Sequence, residues 1–126
     1  MEDFFLTIKE LLIIKNFFLV IRGLDNTLLL LIISLPIGFV LSLIFALGRV
    51  SKIRIISKSI AAYIFIIRGT PLLVQIYLIY FGLGSIKAIR DSFLWYLLKE
   101  PFWCGVIALT INTVAYGSEI FRGGIQ

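Results

Sequence analysis

RGTPLLVQIYLIYFGL, residues Arg68 to Leu83, sets one fixed positive charge and a Gly-Thr-Pro break against an uncharged run that continues to Ile86. Glycine and proline inside a long apolar segment weaken a helix. An arginine at the same place is expensive at membrane depth. Two drawings follow. A single helix from about Ser59 to Leu83 carries Arg68 roughly 15 Å in from its end. Alternatively, Ser59 to Ile67 is a half-helix, the chain breaks at Arg68-Gly69, and Thr70 caps a second helix with Pro71 at its first position. Either way Gly69, Thr70 and Pro71 predict a kink. Arg68 then faces protein or water unless it snorkels to the interface. Gln75 either contacts a polar pathway or bonds to a neighbouring helix.

The bulk composition agrees with a lipid solvent. Of 126 residues, 60% are hydrophobic and 15% charged, and the mean hydropathy is +1.07. A small soluble domain leaves much of its surface in water and has no room to bury so much apolar area. The formal charge of +5 does not point to nucleic acid, because the basic residues are dispersed apart from one cluster. That cluster, Arg49, Lys52, Arg54 and Lys58, lies between two apolar runs and reads as a cytoplasmic loop. With one cysteine (Cys104) and no histidine, Cys/His metal sites, histidine catalysis and an intrachain disulfide are excluded. No GxxxxGK[ST] loop is present to bind nucleotide. We therefore expect neither a catalytic site, a metal nor a cofactor, and energised work would draw on a partner.

Upstream, Asp3 to about Ile21 is apolar but interrupted by Lys9, Glu10 and Lys15. It reads as a helix lying at the interface or leading into the first span. Asn26 to Gly48 is uncharged and covers roughly 30 Å as a helix, enough for one crossing. Asp25-Asn26-Thr27 offers N-cap chemistry at its start. Ser34, Gly38, Ser42 and Ala46 recur every fourth residue, a small-xxx-small face that lets helix backbones approach closely. The basic loop after it places the N-terminus outside.

Downstream, the third span is Phe102 to about Phe121, with Trp103 suited to an interfacial belt. At 100° per residue, Gly105, Ala108, Asn112, Ala115, Tyr116 and Glu119 share about a third of the circumference, opposite Trp103, Val106, Val114 and Phe121. Asn112, Tyr116 and Glu119 either line a polar path, or Glu119 simply pairs with Arg122 near the interface. The fold expected is an all-α membrane protein, one domain over residues 1–126. Three transmembrane helices, at about 25–48, 59–83 and 102–121, follow an N-terminal interfacial helix.

Three stretches also carry a family likeness. RGTPLLVQIYLIYFGL resembles the second-helix motif of polar amino acid ABC importer permeases. GLDNTLLLLIISLPIGFVLSLIFALGRVSK resembles that family's first helix and basic loop, and LTINTVAYGSEIFRGGIQ its third helix. The likeness covers the chain from Gly23 onward and corresponds to the first part of a type I permease domain. It implies a second permease subunit (identical or paralogous), an ABC ATPase dimer that hydrolyses ATP, and an extracytoplasmic binding protein, in the inner membrane. Arg68, Gln75, Asn112, Tyr116 and Glu119 are then expected at the translocation pathway or in polar contacts between helices. The family's ATPase-docking Glu-Ala-Ala element is absent, and the sequence stops where that loop would begin. The expectation is thus a fragment of a permease or a truncated product, the alternative being a non-transporting membrane assembly or anchor protein. A self-contained channel or ion-coupled carrier fits the motif less well.

Overall fold

The computed structural model describes residues 1–126 and is helical from end to end. Its first helix, α1 (Glu2–Arg49), has 48 residues. At 1.5 Å per residue it is about 72 Å long, more than twice the hydrocarbon thickness of a bilayer. No boundary separates an interfacial helix from a first span, which corrects the separate interfacial helix and leaves the alternative, an arm that leads directly into the first span. The N-cap expected at Asp25-Asn26-Thr27 is also absent. Thr27 Oγ1 instead donates back to the Gly23 carbonyl at 3.0 Å, inside the helix. The reason is local: between Glu2 and Pro36 the only residue that disfavours helix strongly is Gly23, and one glycine costs about 1 kcal/mol, too little to end a long helix. Residues 2–29 are exposed along the whole of this arm.

Helix α2 (Arg54–Arg68) follows a short basic turn and starts five residues before the expected Ser59. The chain then breaks at Gly69–Pro71 and resumes as α3 (Leu72–Tyr77), which continues as a wider π-helical turn over Leu78–Leu83. The axes before and after the break differ by 103°, so the broken drawing describes the segment. Its details are corrected on two counts. Pro71 precedes the first helical residue with φ −63° and ψ 143°, and Thr70 does not cap α3. The Thr70 hydroxyl reaches back to the Ile66 and Ile67 carbonyls at 3.1 and 3.2 Å. Proline biases the residue before it away from helical backbone, and the carbonyls at the end of α2 lack intrahelical donors. The hydroxyl serves those carbonyls.

Two single-turn helices, α4 (Lys87–Arg90) and α5 (Trp95–Leu98), lead into α6 (Pro101–Ile125). Pro101 occupies the first turn of α6, where its missing N–H costs nothing. Two helices, α1 and α6, are each long and apolar enough to cross a membrane; α2 and α3 reach that length only as a bent pair.

The core is the seam between α1 and α6. Ser34, Gly38, Ser42 and Ala46 are all buried there. A side chain at Gly38 would lie 2.7 Å from Thr113 Cγ2, and one at Gly117 would run into the Ser42 side chain. Each helix thus presents a small residue where the other has a larger one. Ser42 Oγ lies 2.6 Å from the Gly38 carbonyl and 3.2 Å from that of Thr113. In lipid, where apolar surface alone gives helices little reason to associate, such close backbone approach supplies the attraction.

Candidate functional site: a polar seam at the bend

The opposite side of α6 meets the bent pair, and polar groups concentrate along that contact. Gln75, only 6% exposed, fills the break. Its Nε2 lies 2.9 Å from the Ile67 carbonyl, 3.1 Å from the Thr70 carbonyl and 2.9 Å from Thr70 Oγ1. Gln75 is thereby the donor to the Thr70 carbonyl, which the break leaves without a backbone N–H, and adds to the Thr70 N–H that reaches the Ile67 carbonyl at 3.3 Å. Gln75 Oε1 in turn accepts from Asn112 Nδ2 on α6, a long bond at 3.5 Å. A second cross-link lies nearby: Tyr63 donates to the Ile111 carbonyl at 2.6 Å.

One helical turn along α6 from Asn112, the Arg68 guanidinium lies over the Tyr116 ring, 5.2 Å from its centroid. The arginine is itself exposed, so the aromatic face offsets only part of its charge; such contacts contribute about 0.5–1 kcal/mol at exposed sites. Further on, Glu119 accepts from Arg122 at 2.7 Å and lies 3.9 Å from Arg49 Nε at the end of α1. Arg49 Nε is buried and has no hydrogen-bond partner. The long contact with Glu119 is its main electrostatic compensation.

Arg68, Tyr116 and Glu119 share a cleft of about 420 Å³ with Arg49, Ile64 and Phe65. Its lining carries two guanidiniums against one carboxylate, a formal excess of positive charge beside apolar walls. That arrangement can hold a polar or charged group out of lipid. A larger hollow of about 590 Å³ lies between α1 and α6. Leu35, Pro36, Phe39, Val40 and Phe121 wall it, so it offers little to a charged solute.

The structure therefore brings the five polar residues singled out from the sequence to one side of α6, in three groups: Gln75 with Asn112, Arg68 with Tyr116, and Glu119 with Arg49 and Arg122. It separates Gly105 from them, since that residue faces Leu30 of α1. Val106 and Val114, placed on the apolar face, are buried. Sequence reasoning missed Arg49, Tyr63, Thr113 and Gly117. Thr113 and Gly117 repeat at four residues and were legible as a small face. The partners of Arg49 and Tyr63 are distant in sequence, and no local signal marks them.

No protein-family model matches the chain. Among curated proteins it is 48% identical over 116 residues to the nopaline transport system permease protein of Agrobacterium fabrum, covering 91% of this chain and 48% of that protein. It is 43% identical over 105 residues to the histidine/lysine/arginine/ornithine transport system permease protein of Escherichia coli K12, covering 82% and 44%. The arginine ABC transporter permease protein of Haemophilus influenzae is 36% identical over 107 residues, covering 85% and 47%. A crystal structure of an amino acid ABC transporter with histidines superposes with a TM-score of 0.74 at 41% identity, covering 92% of this chain and 50% of that one. The chain spans about half the length of the curated relatives it matches.

Proposed function

We propose that this chain, a homologue of polar amino acid ABC transporter permeases over about nine-tenths of its length, forms part of the membrane-spanning permease subunit of an ABC importer for polar amino acids. The observation that carries the reading is the joint match in sequence and fold to an amino acid ABC transporter. The polar seam supports it physically. A zwitterion crossing lipid needs compensating groups along its route, and broken helices with exposed backbone ends recur where transporters hold solutes.

In this reading residues 1–126 act as one membrane domain with three crossings, the bent pair α2–α3 counting as the second. Arg68, Gln75, Asn112, Tyr116 and Glu119 lie along the translocation path or hold its walls together. Gly69, Thr70 and Pro71 shape the bend, and Ser34, Gly38, Ser42 and Ala46 seat α1 on α6. The basic turn after α1 faces the cytoplasm and the N-terminus lies outside, in keeping with the excess of Lys and Arg in that turn. The protein would work with a second permease subunit, an ATPase pair that supplies the energy, and an extracytoplasmic binding protein that delivers the amino acid.

The test is reconstitution. The protein, co-expressed with candidate ATPase and binding-protein partners from the same source and placed in proteoliposomes, is expected to give ATP-dependent accumulation of at least one polar amino acid. An assembled complex that hydrolyses ATP yet accumulates none of them would overturn the assignment.

A further inference from the structure

The turn between α1 and α2 carries a feature that membrane orientation alone does not require. Ser51, Arg54, Ser57 and Lys58 enclose a hollow of about 350 Å³ with no apolar residue in its lining. Its shape is held from one side. Ser57 Oγ donates to the Arg49 carbonyl at 2.7 Å and accepts from Arg49 Nη1 at 3.1 Å, pinning the end of α1 to the first turn of α2. The charges are unbalanced. Both ion pairs in the chain converge on Glu119, with Arg49 and Arg122, so Lys52, Arg54 and Lys58 have no carboxylate partner. Arg54 and Lys58 are four residues apart and project from the same helix face. Ser51, whose hydroxyl finds no partner in the chain, lines the same hollow.

The apolar surroundings say what kind of anion fits. Ile53, Ile55 and Ile56 neighbour Arg54 along the chain and are 57%, 79% and 43% exposed. A free phosphate would use the cations and leave those side chains bare. A phosphate ester carrying acyl chains would use both.

We propose that Arg54 and Lys58, with Ser51, form a binding site for the headgroup phosphate of an anionic phospholipid, whose chains cover the isoleucines of early α2, while Ser57 holds the turn in place. Basic residues at the edge of a membrane helix attract acidic lipid headgroups by charge, and here a pinned turn gives that attraction a fixed place. The site needs only that the chain be embedded in a bilayer. Transport could fail while this site stands, and the reverse.

Native mass spectrometry of the detergent-purified protein, titrated with phosphatidylglycerol or phosphatidylcholine of matched chains, tests it. The unaltered protein is expected to retain phosphatidylglycerol several-fold over phosphatidylcholine. Arg54→Gln with Lys58→Gln should bring the ratio close to one, while Lys87→Gln with Arg90→Gln, also exposed and basic, should leave it unchanged. Arg54→Lys with Lys58→Arg keeps both charges and should keep the preference, which separates loss of charge from loss of fold. Parity in the unaltered protein, equal losses in the two neutralised pairs, or loss in the charge-conserving pair would overturn the proposal. Displacement of phosphatidylglycerol by millimolar inorganic phosphate would also overturn it, assigning the hollow to a free anion instead.

Discussion

At the bend, Gln75 has two amide hydrogens and three oxygens within 3.1 Å of its nitrogen. One of them, the Thr70 carbonyl, has no other donor, whereas the Ile67 carbonyl also accepts from the Thr70 N–H at 3.3 Å; a buried carbonyl left without a donor costs about 1–3 kcal/mol. Gln75→Leu keeps the bulk and removes the donors. It is expected to lower stability by about 1–3 kcal/mol, read as a lower melting temperature in detergent. Leu73→Ala, on a side chain 77% exposed, should change it by no more than about 0.5 kcal/mol. Equal melting of the two would mean that water takes over the amide's role. Glu119 poses the same question for charge. Glu119→Gln leaves both Arg49 and Arg122 without a counter-charge, whereas Arg122→Gln leaves Glu119 with Arg49. The first change is therefore expected to destabilise more than the second in the same melting assay. The Glu119–Arg122 pair was legible from a spacing of three residues. The Arg49 contact was not, because nothing in the sequence says that the end of α1 returns to the end of α6.

At the scale of elements, the α1–α6 seam depends on which residues lack a side chain. Gly117→Leu would drive a branched side chain into Ser42, and small-to-large changes in a packed seam cost about 1–3 kcal/mol. Gly123→Ala meets nothing within 4 Å and should be silent or slightly stabilising, since alanine favours helix. A Gly117→Leu protein that melts with the unaltered one would show that α6 is not seated as described. The bend makes a second prediction. Pro71→Ala restores a backbone donor and frees Thr70 for helical backbone, so α2 and α3 should straighten in part. Spin labels at Ile55→Cys and Leu78→Cys, both on exposed sites, should then report a longer distance; no change would assign the bend to Gln75 and the tertiary contacts alone. These elements also show what a linear reading carries. The period-four stripe on α1 and the break at Gly69–Pro71 depend on neighbours in sequence and are visible there. The fusion of the N-terminal arm with α1 depends on the absence of a sufficient stop signal. A candidate cap at Asp25 has force only where the helix is otherwise free to end.

At the scale of the whole molecule, the proposed three-crossing arrangement requires the bent pair to cross the bilayer rather than turn back. Neither half reaches across alone: 15 residues of α2 rise about 22 Å, less than the hydrocarbon core, and the axes diverge by 103°. A crossing puts the basic turn after α1 and the connection after Leu83 on opposite sides; a re-entrant hairpin puts both on one side. The free energy of exposed backbone bears on the choice. Polar backbone at a break is tolerated at membrane depth only against protein or a wet cavity, and the Gln75 amide, the Thr70 hydroxyl and the Arg68–Tyr116 cleft supply such surroundings in either arrangement. Charge favours the crossing that we propose. Four Lys and Arg with no acidic residue lie between Arg49 and Lys58, while Lys87, Arg90 and Lys99 after the pair are partly balanced by Asp91 and Glu100, an asymmetry that favours opposite sides. Lys52→Cys and Ser85→Cys, both exposed, can be labelled in intact cells with a membrane-impermeant maleimide, since Cys104 is buried. Ser85→Cys is expected to react from outside, and Lys52→Cys only after the membrane is opened. Labelling of both before permeabilisation, or of neither, would replace the three-crossing arrangement with a re-entrant one.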